Sequence, residues 1–123
     1  MADTQHLMLM ITHGPDEPER ATIPMTMAVG ALRASRSVVV GLQGPAVELA
    51  VPGRADGLAA PGFSPLADLV ADFGRLGGRL LVCPASARGH GIDPADLLVE
   101  GAAMVAPGGF FAEMDAVDRV LFY

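Results

Sequence analysis

The chain has 123 residues, a net charge of −6, eight arginines and no lysine, and its acidic residues are scattered. This length suits a single domain spanning residues 1–123, and the lack of a basic stripe argues against nucleic-acid binding. Hydrophobic residues make up 51% of the chain, which excludes disorder and predicts a packed core. The mean hydropathy is positive, so we expect other subunits to cover part of the surface.

No window reaches the ~18 apolar residues that a membrane helix needs. The first residues also lack the basic region of a signal peptide. Cys83 is the only cysteine, so no internal disulfide can form. No spacing of cysteine and histidine indicates a zinc site, and no pattern indicates a cofactor. We therefore expect a cytoplasmic protein with no membrane or metal partner.

The first half of the chain predicts two strands and a helix. The apolar run at 7–12 is typical of a strand buried on both faces. Pro18 suits a first helical turn, and residues 21–34 are predicted to be a helix that starts or kinks at Pro24. Residues 37–42 form the clearest strand.

The second half begins with a Gly- and Pro-rich stretch at 43–62, in which residues 46–51 could form a short helix. Residues 65–76 carry apolar side chains at helical spacing and are predicted to be amphipathic. Strands are predicted at 80–83, 102–106 and 119–123, with a turn at 84–88. Short helices are predicted at 95–100, after Asp93 and Pro94, and at 108–116.

Alternating strands and helices predict parallel βαβ units with right-handed crossovers. The predicted fold class is α/β, a flavodoxin-like three-layer sandwich with a mostly parallel five-stranded sheet. The expected strand order is 2-1-3-4-5.

A ligand crevice is expected where the strand order reverses, beyond the carboxyl ends of the strands. With the expected order, that point lies between the first and third strands, so His13 and Cys83 would face one crevice. The backbone after Cys83 and the charge of Arg88 could lower the thiol pKa. His13 or His90 could act as a titratable partner, and the thiolate could then carry sulfur as a persulfide.

Each of these residues also has a purely structural interpretation. A lone cysteine is often buried packing, and a histidine after a strand is often only a turn residue. Arg20 and Arg88 could be surface or interface arginines, and the acidic residues after His13 could simply favour a helix start. Phosphate binding is a weak alternative, because the loop at 12–20 lacks both glycine-rich phosphate motifs and carries three acidic residues.

Four segments in order along the chain resemble the DsrE/DsrF-like family of small sulfur-relay proteins. The matching residues are Thr12, Gly14, Pro18, Arg20 and Ala21; Gly44 through Leu49; Cys83, Pro84, Ser86, Arg88 and Gly89; and Ile92, Asp96, Leu97 and Gly101. The likeness covers nearly the whole chain.

The resemblance implies a flavodoxin-like fold, a cytoplasmic role and assembly into homotrimers or homohexamers. It also implies that Cys83 carries persulfide sulfur between donor and acceptor proteins. Ser86 stands where several relatives have a second cysteine, which leaves a one-thiol site. Thr12, Gly14, Arg20 and Ser86 are the expected ligand-binding residues, beside Cys83, His13 and Arg88 as catalytic residues.

Two other hypotheses remain open at this point. The chain could be a non-enzymatic oligomer that binds a small ligand or anion in the same crevice, which Cys83 would only line. It could also be a structural or regulatory partner protein without chemistry of its own.

Overall fold

The fold follows from apolar strands that alternate with helices. A computed structural model of the chain describes residues 4–93, 95–96 and 98–123. The elements are β1 (His6–Ile11), α1 (Pro18–Arg33), β2 (Ser37–Leu42), a 3-10 helix (Gly44–Ala50), α2 (Leu66–Arg75), β3 (Arg79–Val82), α3 (Pro84–Gly89), β4 (Ala102–Met104), α4 (Gly109–Ala116) and β5 (Arg119–Phe122). All strand pairs in the sheet are parallel, which confirms the predicted α/β class.

Strand β1 is buried on both faces, as its continuous apolar sequence predicts. Leu9 and Ile11 belong to the larger core, beneath α1, α2, α3 and the 3-10 helix. Met8 and Met10 point the other way and belong to a smaller core beneath α4. Because strand side chains alternate between faces, these two cores make three layers.

Helix α1 starts at Pro18, earlier than predicted, and continues through Pro24. Pro18 occupies the first helical turn, where a missing N–H costs nothing. The Thr22 hydroxyl donates to the Pro18 carbonyl at 2.6 Å and supports this first turn. Pro24 is itself buried against the core.

The sheet order is β4-β3-β2-β1-β5, which keeps the predicted β1/β2 and β3/β4 neighbours. It departs from the expected 2-1-3-4-5, because β3 lies beside β2 and β5 lies beside β1. The physical reason is the face of the sheet that each crossover helix covers. Helices α1 and α2 pack together on one face, so right-handed crossovers add β2 and then β3 in the same direction. Helix α4 lies on the opposite face and returns the chain past β1.

The segment at 95–100 forms turns and irregular backbone in its described residues, rather than the predicted helix. Asp93 and Asp96 close a local turn, in which the Asp93 N–H donates to the Asp96 carboxylate and the Ala95 N–H to Asp93. The Val99 N–H then donates to the Ala50 carbonyl at 2.9 Å, so this backbone pairs across the fold. Pro94 and Leu97 lie outside the described residues.

Residues 84–89, expected to be a turn, form the short helix α3. No helix in the described part of the chain is long and apolar enough to cross a bilayer.

Candidate functional site

Three loops meet at the carboxyl edge of the sheet, where the sequence predicts the site. They follow β1, β2 and β3, and the loop after β2 lies between the other two. The Cys83 N–H donates to the Leu42 carbonyl at 3.0 Å, which joins the second loop to the third. A side chain at Gly14 would come within 2.5 Å of the Pro45 carbonyl oxygen, so the first loop packs tightly on the second.

Cys83 stands between β3 and α3 and is half-buried. Its carbonyl accepts the Ala87 N–H at 2.9 Å, which closes the first turn of α3. Pro84 fits the next position, because its missing N–H has no partner in a first turn. The N–H groups that follow are unpaired within the helix and lie near the side chain of the residue that precedes it. The thiol is therefore placed among backbone donors.

The Cys83 thiol is biased towards its charged form. Partial burial is the largest single effect and raises the pKa of the thiol. The backbone N–H and hydroxyl of Ser86, the backbone N–H of Ala85 and the positive charge of Arg88 oppose it. Together they outweigh the burial, so the pKa of Cys83 lies below its ordinary value. A lower pKa increases the fraction of reactive thiolate at neutral pH.

Ser86 connects the thiol to the loop after β2. Its Oγ accepts the Gly44 N–H at 2.8 Å. An oxygen that accepts this bond still has its own proton to donate, and the Ser86 hydroxyl is one of the groups that lower the pKa of the Cys83 thiol. Gly44 has a positive φ of 55°, a conformation that favours glycine. Nothing in the local spacing of the sequence indicates that Gly44 supports Ser86.

Arg88 is an exposed residue near the end of α3, and its charge acts on the thiol more weakly than the hydrogen bonds do. His90 follows α3 and lies near Glu48 of the 3-10 helix, with 3.6 Å between Nδ1 and Oε2. Glu48 also pairs with Arg54. Glu48 therefore ties the end of α3 to the 3-10 helix, a support that the sequence does not reveal.

His13 stands apart from this group because β2 separates β1 from β3. Its Nδ1 lies 3.4 Å from Oδ2 of Asp16, whose other oxygen accepts the Gly14 N–H at 2.8 Å. Burial raises the pKa of the Asp16 carboxyl, but the Gly14 N–H and His13 outweigh it and hold the pKa below its usual value. The structure thus gives His13 a carboxylate partner and leaves the thiol to Ser86, Ala85 and Arg88.

A separate cleft of about 180 Å³ lies near the carboxyl ends of β1 and β5. His13, Arg20, Ile23 and Tyr123 line it. The Thr12 hydroxyl donates to the Tyr123 carbonyl at 3.0 Å, which joins the two strand ends. The strand order reverses between β1 and β5, so this cleft occupies the position where such sheets hold ligands. The predicted site residues thus divide into a thiol group and a second group around His13.

Comparisons with known proteins agree with the resemblance seen in the sequence. The model of the DsrE/DsrF-like family matches residues 5–123. No curated protein matches the chain. The crystal structure of the ychN protein from E. coli superposes with a TM-score of 0.81 at 15% identity, covering 98% of this chain and 100% of that one. The MTH1491 protein of unknown function from Methanobacterium thermoautotrophicum gives 0.72 at 17% identity, covering 97% and 99%. These two structures have the same fold, and the family match extends over nearly the whole sequence, so the chain belongs to the DsrE/DsrF-like family.

Proposed function

We propose that the protein relays sulfur, with Cys83 as the single thiol that accepts and releases it. The observation that carries this proposal is the set of donors around the sulfur. The Gly44 N–H fixes the Ser86 oxygen, and the Ser86 hydroxyl and nearby N–H groups favour a thiolate. Half-burial leaves the sulfur open to a partner while limiting its exposure to water.

The chemistry needs no redox co-reactant. The Cys83 thiolate attacks the outer sulfur of a donor persulfide, and a new S–S bond forms on Cys83. The S–S bond of the donor breaks, and the donor leaves as a thiolate. An acceptor thiolate then attacks the outer sulfur on Cys83 in the same way, which returns the Cys83 thiolate. The N–H and hydroxyl donors stabilise the negative sulfur in both steps.

The partners in this proposal are sulfur-donor and sulfur-acceptor proteins. A second thiol is absent from the chain, so each protein molecule holds one sulfur at a time on its own cysteine. We place the relay in the cytoplasm, since a reducing compartment preserves a free thiol.

The test is to incubate the protein with polysulfide and measure its intact mass. We expect one added sulfur atom per chain, located on Cys83 by peptide mapping and removed by a thiol reductant. The Cys83→Ser variant is the matched control and should gain no sulfur. An unmodified wild-type protein, or equal modification of Cys83→Ser, would rule out the proposal.

Transfer is tested by a second step with the loaded protein. Loaded Cys83 should pass its sulfur to a small acceptor thiol, and the loaded mass should disappear as the acceptor persulfide forms. Ser86→Ala should load more slowly at neutral pH, because its thiolate fraction is lower. An equal loading rate in wild type and Ser86→Ala would remove the role assigned to the hydroxyl.

Ligand binding without covalent chemistry is a second candidate, favoured by the cleft that His13 and Arg20 line apart from Cys83. It predicts that a small anion such as thiosulfate raises the melting temperature. The rise should persist in Cys83→Ser and disappear in Arg20→Gln. A rise that depends on Cys83 would contradict this candidate.

A further inference from the structure

The connection between the 3-10 helix and α2 is a long loop at 51–65, which contains no helix or strand. Most connections in a compact domain are shorter, and ordered loops of this length usually carry function. The backbone of the loop is folded into successive turns. The Arg54 N–H donates to the Val51 carbonyl at 3.2 Å, and the Asp56 N–H donates to the Gly53 carbonyl at 3.2 Å. The loop thus has a defined shape, and the proposed relay of sulfur does not use it.

A cavity of about 360 Å³ lies between this loop, α2 and residues 99–100. Its volume is in the range of pockets that hold small molecules. The cavity reaches the larger core, because Leu49 and Val70 in its walls are only 1% and 4% exposed. Ala67 and Ala71 of α2 also line it, and their short side chains leave it wide. We define the α2–loop cavity by Leu49, Ala55, Asp56, Val70, Ala71 and Glu100.

The wall of the cavity at residues 99–100 is fixed by two contacts with the rest of the fold. The Val99 N–H donates to the Ala50 carbonyl at 2.9 Å, which joins this wall to the end of the 3-10 helix. A side chain at Gly74 would collide with the Glu100 carbonyl, so the glycine allows the wall to pack directly on α2. The cavity is therefore preformed, and a ligand binds without the cost of ordering its walls.

The charge of the cavity comes from two carboxylates. Among the described residues, every lining side chain is apolar except those of Asp56 and Glu100. Both are exposed, and neither lies within 4 Å of a cationic side chain in that part of the chain. Arg54 is close to Asp56 in the sequence but pairs with Glu48 instead. The cavity therefore combines an apolar interior with negative charge at its exposed positions.

These walls select for one class of ligand. An anion would face two carboxylates in a chain whose net charge is −6. Calcium needs about six to eight oxygen ligands, and the described residues contain no group of three side chains that could hold a metal ion. An organic ammonium ion fits, because its aliphatic body can contact Leu49 and Val70 while its charge faces Asp56 and Glu100.

We propose that the α2–loop cavity binds a small organic ammonium ion, a protonated primary amine on an aliphatic body. Burial of the aliphatic body provides most of the affinity, and the two carboxylates provide the selectivity for positive charge. The site goes beyond the relay of sulfur and is separate from it, because neither Cys83 nor Ser86 lines the cavity.

The main test uses three probes that share a six-carbon chain: hexylammonium, 1-hexanol and hexanoate. Each is titrated into the full chain by isothermal titration calorimetry at neutral pH. We expect hexylammonium to bind about tenfold more tightly than 1-hexanol, the gain that two exposed ion pairs provide, and hexanoate to bind least tightly. Shortening the ammonium ion to four carbons should weaken binding by about two- to fourfold per methylene. Bound hexylammonium should shift the methyl NMR signals of Ala55, Ala67 and Ala71, which line the cavity.

Filling the cavity tests where the ligand binds. Ala71→Leu should abolish saturable binding of hexylammonium, because the larger side chain occupies the cavity. Ala71 is exposed, so the helix content and the melting transition of this variant should persist. The matched control Ala112→Leu adds the same side chain at an exposed position of α4 and should bind hexylammonium as wild type does.

Removing the two charges tests the selectivity without filling the cavity. Asp56→Asn with Glu100→Gln should bind hexylammonium about tenfold more weakly and leave the affinity for 1-hexanol unchanged. The control Glu17→Gln with Asp115→Asn removes two charges from exposed positions outside the cavity. It should change neither affinity.

Four results would overturn the proposal. They are no saturable binding of hexylammonium to wild type, equal affinity for hexylammonium and hexanoate, wild-type binding by Ala71→Leu, and an undiminished preference for hexylammonium over 1-hexanol in Asp56→Asn with Glu100→Gln.

Discussion

Replacing Ser86 by alanine tests the central contact of the site. The substitution removes the acceptor of the Gly44 N–H, a bond of 2.8 Å, and a hydroxyl that lowers the pKa of the Cys83 thiol. Gly44 is half-buried, so water can partly replace the lost acceptor. We therefore expect a loss of about 1 kcal/mol in the free energy of unfolding, the lower part of the range for an orphaned donor. In a domain of this size, that loss lowers the melting temperature by about 3–5 °C.

The same substitution should raise the pKa of the Cys83 thiol, because one of the groups that stabilise the thiolate is gone. The assay is the rate of iodoacetamide alkylation as a function of pH, followed by intact mass. The midpoint of the rate profile should move to higher pH in Ser86→Ala. Ser86→Thr keeps a hydroxyl and should stay close to wild type. Ser64→Ala, at an exposed serine, controls for the loss of a hydroxyl as such.

The pH dependence of stability separates the two effects of Ser86→Ala. The folded thiol has a pKa below that of the unfolded chain, so its thiolate adds stability above the unfolded pKa. That contribution is lost as the pH falls through the folded pKa. The penalty of Ser86→Ala should therefore be smallest when the thiol is neutral, where only the Gly44 bond is lost, and should grow as the pH rises. A penalty independent of pH, or an unchanged alkylation midpoint, would refute the reasoning.

Three further substitutions probe the surroundings of the site and the core. Arg88→Gln should also raise the pKa of the thiol, by less than Ser86→Ala, and should make the alkylation rate of Cys83 less sensitive to salt; an equal salt dependence would contradict the role of Arg88. In wild type, the Asp16 carboxylate adds stability above its usual pKa, and this stability is lost as the pH falls through the lowered pKa of the folded protein. Asp16→Asn should lack this contribution, so its stability should change less with pH in the acid range. Acid unfolding curves that coincide for the two proteins would contradict this prediction. Gly78→Ala should lower the free energy of unfolding in urea by about 1–3 kcal/mol, because its Cβ would press on the buried Phe73 ring; an unchanged midpoint would show that the ring can move.

The sequence predicts the elements of the fold well, because each depends on local pattern. The strand at Ser37–Leu42 is found as predicted, since three consecutive valines suit only a buried strand here. Helix α2 ends just before Gly77, a residue with a positive φ of 92° that the sequence marks as a stop. Pro18 occupies the first turn of α1, as its chemistry suits, although the helix was predicted to begin three residues later, at residue 21.

The strand order could not be predicted in the same way. It depends on which face of the sheet each crossover helix covers, and that choice is made by packing between α1 and α2. The prediction of a helix at 95–100 was wrong for a related reason. Asp93 suits a helix start, and its carboxylate does accept the Ala95 N–H, but the Val99 N–H pairs with Ala50 instead of continuing a helix. A distant carbonyl thus decides the local structure.

In the candidate site, contacts between residues close in the sequence were also predictable, whereas a contact between distant residues was not. Cys83, Ser86 and Arg88 lie within one turn and a half of chain, so their grouping was predictable from spacing. The pairing of His13 with Asp16 is also local, at three residues apart. The support from Gly44 is not, because its N–H reaches a side chain 42 residues away. The expectation that His13 faces Cys83 rested on the strand order, and β2 now separates their loops.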